Sequence, residues 1–107
     1  MSLSDKTCIP CQGGIAPLKG QALNTLGEQL PDWELINEHH LRKSFEFATF
    51  QESLDFSNRV GQLAEEQGHH PEIHISFRKV HLEMWTHKID GLTESDFVFA
   101  AKANNLL

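Results

Sequence analysis

The chain has 107 residues, 39% hydrophobic and 22% charged, which is room for one compact domain and too apolar for a disordered chain. No apolar run approaches the roughly 20 residues needed to cross a bilayer, and Met1–Lys6 lacks a signal-peptide core, so the expectation is a cytoplasmic protein with no membrane partner. Fifteen acidic against nine basic residues give a net charge of −6, which repels phosphate backbones and argues against direct nucleic-acid binding.

Residues 1–19 read as an N-terminal tail, because Cys8-Ile9-Pro10-Cys11 followed by Gly13, Gly14 and Pro17 supplies turn-formers and little apolar periodicity. Residues 20–107 read as a single domain. Leu23, Leu26 and Leu30 share one face of a short helix from Gln21 that ends at Pro31. Trp33–Ile36 reads as a strand, and Asn37-Glu38 as a turn with His39 and His40 as its polar neighbours. In the strand that follows, Leu41, Lys43, Phe45 and Phe47 alternate with His40, Arg42, Ser44 and Glu46.

Thr49 and Glu52 have capping-box spacing and open a helix with Phe56, Val60, Leu63 and Ala64 on its apolar face. Gly68 supplies a left-handed stop, and Pro71 keeps His70 out of helical conformation. Ile73, Ile75 and Phe77 then alternate with His74, Ser76 and Arg78 as a half-buried strand. After a turn near Arg78-Lys79, Val80, Leu82, Met84 and Thr86 point one way, and His81, Glu83, Trp85 and His87 the other. Thr93 and Asp96 form a second capping box before a helix through Phe97, Val98, Ala101 and Leu106. The order α-β-β-α-β-β-α predicts an α+β fold, a four-stranded antiparallel sheet with helices on one face. A small core with sheet edges to cover predicts a homo-oligomer.

Seven histidines are many for this length. His69 and His70 precede the third strand and His87 ends the fourth, so an antiparallel hairpin brings three imidazoles to one end of the sheet. Imidazole titrates near neutral pH unaided, which makes this end a candidate site for proton transfer. A polar turn is the alternative for His69-His70, a solvated helix charge for Glu65, and a plain helix cap for Asp96. His39, His40, His74 and His81 read as surface residues. A metal site is disfavoured: neighbouring histidines on extended chain point apart, no i, i+4 helical pair occurs, and Cys8-x-x-Cys11 is half a zinc site without a second half.

Glu65, His69-His70-Pro71, Phe77, Thr86-His87, Gly91-Leu92-Thr93 and Asp96 together resemble the pattern of the pterin-4a-carbinolamine dehydratases, with Trp33 ahead of the first strand. The resemblance covers about residue 20 to the C-terminus, and the Cys8-x-x-Cys11 opening is similar to an extension on some members. It implies dehydration of 4a-hydroxytetrahydrobiopterin to quinonoid dihydropterin in tetrahydrobiopterin recycling, with no cofactor and no metal. It places catalytic histidines at His69, His70 and His87, with Asp96 supporting His87. Pterin-contacting candidates are Glu65 and Ser76 for the ring's donors and acceptors, Trp33 or Phe45 over a ring face, and Phe77. A homodimer or homotetramer with paired sheets is implied as well. The alternatives are a non-catalytic dimerisation or transcriptional cofactor role, and a pterin role in molybdopterin metabolism.

Overall fold

The computed structural model describes residues 2–9 and 13–107. Cys11, the second cysteine of the C-x-x-C pair, lies outside them. In chain order the elements are α1 (Gln21–Gly27), β1 (Glu34–Ile36), β2 (His40–Glu46), α2 (Phe50–Gln67), β3 (Glu72–Ser76), β4 (Lys79–Met84) and α3 (Glu94–Asn104), with single 3-10 turns at Leu3–Asp5 and His87–Ile89. The expected α+β order is present. The strands form one antiparallel sheet in the order β1-β2-β4-β3, so two hairpins lie side by side, joined through β2 and β4.

Register explains the core. Leu41 faces Met84, Phe45 faces Val80, and Leu82 lies between Lys43 and Ile73, which stacks apolar side chains on one face. The helices cover that face: Phe56 and Val60 of α2 and Phe97 of α3 are all fully buried. Phe56 meets Phe45 with ring centroids 4.7 Å apart.

Several local expectations are corrected. α1 stops at Gly27, because Gln29 and Leu30 donate to carbonyls three residues back and tighten the chain ahead of Pro31. At the start of α2 the Thr49 oxygen accepts from the Glu52 N–H, but the Glu52 carboxylate accepts from the Thr49 hydroxyl instead of the backbone. β3 is an edge strand, and the chain turns after Ser76, so Phe77 lies outside the strand and is 71% exposed. Ile75 on the same strand and Phe50 at the start of α2 are exposed as well.

The stretch read as a tail is partly built into the globule. Leu3 and Cys8 are buried, Lys102 donates to the Ser4 carbonyl (2.9 Å), and the Cys8 N–H donates to Gln67 Oε1 (2.9 Å). Ile9 and Ser95 exchange hydrogen bonds, Ile9 N–H to Ser95 Oγ at 2.8 Å and Ser95 Oγ to the Ile9 carbonyl at 3.2 Å. Residues 3–9 therefore form a strap from α3 to the end of α2. Burial pushes the Cys8 thiol up to about 11, with the Lys102 charge opposing, and a thiol held protonated is a poor nucleophile or metal ligand. Further on, Leu18 N–H donates to the Leu92 carbonyl (2.9 Å). Pro17 sits so close to Gly91 that a β-carbon there would fall 2.5 Å from Pro17 Cβ.

Candidate active site

The site begins where α2 ends. Gly68 adopts the left-handed conformation (φ 61°), and the His69 N–H returns to the Ala64 carbonyl at 3.2 Å, a six-to-one bond of the Schellman type. This turn sends His69 inward and His70 outward. The His69 side chain is 14% exposed, and its Nε2 lies 2.6 Å from Asp96 Oδ1. Asp96 is fully buried. Its Oδ2 accepts from the Thr86 hydroxyl and from the Thr93 N–H, both at 2.8 Å. One carboxylate thus ties the exit of α2, the end of β4 and the first turn of α3 together, and it closes the α3 capping box as expected.

The partner of Asp96 differs from expectation. The family resemblance implies that Asp96 supports His87; in the structure it pairs with His69. The first turn of α3 packs beneath the α2–β3 junction, whereas His87 is carried on an exposed loop. That loop is closed by the pairing of Thr86 with Gly91, with Thr86 N–H to the Gly91 carbonyl at 2.8 Å.

His70 is paired through Nε2 with Glu65 Oε2 at 2.6 Å, and both side chains are exposed. Glu65 lies on the last turns of α2, where helical spacing reaches the residue after the stop. His87 stacks on Trp85, with ring centroids 4.2 Å apart and planes inclined by 29°. His69, His70 and His87 converge with Gly68, Trp85, Thr86 and Lys88 around a cleft of about 270 Å³. That is just under the range for drug-sized ligands and suits one small heterocycle.

The hairpin reasoning therefore brings the three imidazoles together. Other expected contacts stay away from this cleft. The Trp33 indole is buried, donates to Asn104 Oδ1 (3.0 Å) and packs edge-on against Phe45, itself a core residue. Ser76 and Phe77 sit at the opposite end of β3 from His70. Trp85 and Lys88 also line the cleft, beyond the residues of the motif, and Thr86 joins them from within it. For Trp85 the signal was in the alternation, since it shares a strand face with His87. Among the described residues no group of three or more His, Cys, Asp or Glu side chains is arranged to hold a metal ion.

A cluster of imidazoles at the end of an antiparallel sheet, two of them paired with carboxylates, is an arrangement suited to proton transfer on an α+β domain. Residues 16–106 match the family described as Pterin 4 alpha carbinolamine dehydratase, and the chain belongs to that family. A protein of Rubrobacter xylanophilus named "Putative pterin-4-alpha-carbinolamine dehydratase" is 60% identical, over 97% of each chain. One of the same name from Alkaliphilus metalliredigens is 49% identical, over 96% of this chain and 94% of that one. A crystal structure described as a transcriptional coactivator/pterin dehydratase from Brucella melitensis superposes with a TM-score of 0.78 at 27% identity, covering 84% of this chain and 97% of the other.

Proposed function

We propose that the chain is a hydro-lyase that dehydrates 4a-hydroxytetrahydrobiopterin to quinonoid dihydropterin and water, in the recycling of tetrahydrobiopterin. The observation that carries this reading is the convergence of His69, His70 and His87 on one small cleft. The elimination breaks the C4a–O bond, adds a proton to the departing hydroxyl and removes one from N5. The donor and acceptor together end with the proton count they began with, so no outside acid or base is consumed. Imidazoles suit both transfers at neutral pH, and each positioned group contributes typically 10²–10⁴-fold.

His69 and His70 are the proton-transfer pair. Each offers Nε2 to a carboxylate, Asp96 or Glu65, which leaves Nδ1 as the ring nitrogen for substrate. His87 binds and polarises the pterin from the cleft's other wall. Glu65 acts through His70. Chemically generated 4a-hydroxytetrahydropterin, followed by stopped-flow absorbance, tests the reading: the purified chain accelerates its decay, and no acceleration by a folded sample refutes it.

The exposed edge of β3 supports a homo-oligomer. Ile75 and Phe77 are apolar and at least 45% exposed, on or just after β3 at the edge of the sheet, an edge that a second copy covers by extending the sheet. Antiparallel pairing of two β3 strands carries Ser76 and Phe77 of one protomer toward the partner's Pro71. Phe77→Glu then lowers the mass seen by light scattering; an unchanged mass contradicts this assembly. A second reading, a binding module without catalysis, draws on the coactivator description of the Brucella neighbour. It predicts that loss of all three histidines leaves the biological function intact.

A further inference from the structure

His69 and His70 are each fixed by a carboxylate, but among the described residues the His87 ring makes no hydrogen bond or ion pair. Its contact is the indole of Trp85. A catalytic imidazole needs a defined orientation, because a misplacement of about 1 Å is enough to lose two orders of magnitude in rate. Something other than a carboxylate has to supply it here.

The indole is itself gripped. His39, from the β1–β2 turn, and His40, the first residue of β2, pack against it with centroid separations of 5.4 Å and 5.9 Å. Their positions follow from the turn: Asn37 and Glu38 both have positive φ (52° and 56°), the signature of a tight type I′ reversal. The two imidazoles are locked in turn, with Nδ1 of His39 3.0 Å from Nδ1 of His40 and His39 Nε2 2.7 Å from Asp90 Oδ1. Asp90 follows directly on the 3-10 turn that begins at His87. The contacts close on themselves: His87 on Trp85, Trp85 on His39, His39 on Asp90, and Asp90 back through its own loop to His87. Burial holds the His40 imidazole below its ordinary pKa, which suits a ring packed in this aromatic set.

We propose that Trp85 is the positioning residue for His87, holding that imidazole against the cleft wall by stacking as Asp96 holds His69 by hydrogen bonding. This inference rests on the dehydratase reading for its kinetic consequence. Its structural half stands apart from that reading.

A double-mutant cycle tests the kinetics. Trp85→Leu fills space without a ring, Trp85→Phe keeps a ring, and His87→Ala removes the group being positioned. Trp85→Leu lowers kcat about 10- to 100-fold with little change in KM, and Trp85→Phe recovers most of it. In the His87→Ala background, Trp85→Leu changes the residual rate less than twofold, since nothing is left to orient. Losses that multiply independently, or that fall on KM alone, overturn the proposal. Proton NMR gives the second readout. The His87 ring protons resonate upfield in the wild type, return to ordinary positions in Trp85→Leu and stay shifted in Trp85→Phe. Identical His87 resonances in all three proteins overturn the stack. A wild-type chain that fails to dehydrate pterin refutes the dehydratase reading, while the NMR comparison still decides the stack.

Discussion

Replacing Asp96 separates its structural role from its catalytic one. Alanine removes an acceptor that serves the Thr86 hydroxyl, the Thr93 N–H and His69 Nε2 in a fully buried position. Each stranded donor costs about 1–3 kcal/mol, so Asp96→Ala forfeits on the order of 3–9 kcal/mol from a domain whose whole stability is about 5–15 kcal/mol. Asparagine is the informative change. Its amide oxygen still accepts from Thr86 and Thr93, so the stability loss stays near 1–3 kcal/mol, the value of the charge assistance. Its NH2, however, faces His69 Nε2 and donates where the carboxylate accepted. His69 must then carry its proton on Nδ1, the wrong tautomer for the nitrogen that meets substrate. Asp96→Asn is expected to fold, by circular dichroism and urea titration, yet to lose about 10²–10⁴ in kcat for pterin dehydration. A folded Asp96→Asn protein with wild-type kcat would refute the positioning of His69 by Asp96.

Glu65→Gln acts on an exposed pair, so unfolding midpoints stay unchanged and kcat drops only about threefold to tenfold, because water replaces much of what the carboxylate does. The His40 pKa lies below its usual value of 6.5, chiefly through burial. The unfolded chain therefore binds a proton the folded chain refuses, and stability declines as pH falls below about 6.5. His40→Gln removes that term, so urea titrations at pH 7.5 and 5.5 should differ less for the variant than for the wild type. The pH range avoids Glu83, whose pKa is held below 4.5 first by its hydrogen bond from His81, and whose stabilisation is lost only as pH falls through that lower value. Cys8 behaves in the opposite sense at high pH. Its folded thiol keeps its proton to about 11 while the unfolded thiol releases it near 9.0, so stability falls across that window by on the order of 3 kcal/mol. Cys8→Ala should flatten this fall in pH-dependent urea titrations; a parallel decline in both proteins contradicts a buried thiol.

The elements were legible because each carries a local signal. Alternation marked β2 and β4, Gly68 and Pro71 bracketed His69 and His70, and Thr93 with Asp96 marked the start of α3. Antiparallel connection was then enough to bring His87 to the same end of the sheet. Relations set by packing at a distance were not legible. Which imidazole Asp96 serves depends on where the first turn of α3 lies against the α2–β3 junction, and no spacing in the sequence encodes that. The grip on Trp85 comes from His39 and His40, more than forty residues earlier in the chain, which read as ordinary turn histidines. Leu3 and Cys8 show no periodicity, so nothing in the sequence distinguishes a strap from a tail, although both are buried. Trp33 satisfies its N–H with Asn104 and completes the core near Phe45.

The most direct measurement compares stopped-flow dehydration of 4a-hydroxytetrahydropterin at neutral pH by the wild type and by His69→Ala/His70→Ala/His87→Ala, with urea titration showing both folded. Acceleration by the wild type that falls to the uncatalysed rate in the triple variant is the expected result. Equal rates in the two proteins, whether both fast or both uncatalysed, would contradict the assignment of pterin dehydration to the three-histidine cleft.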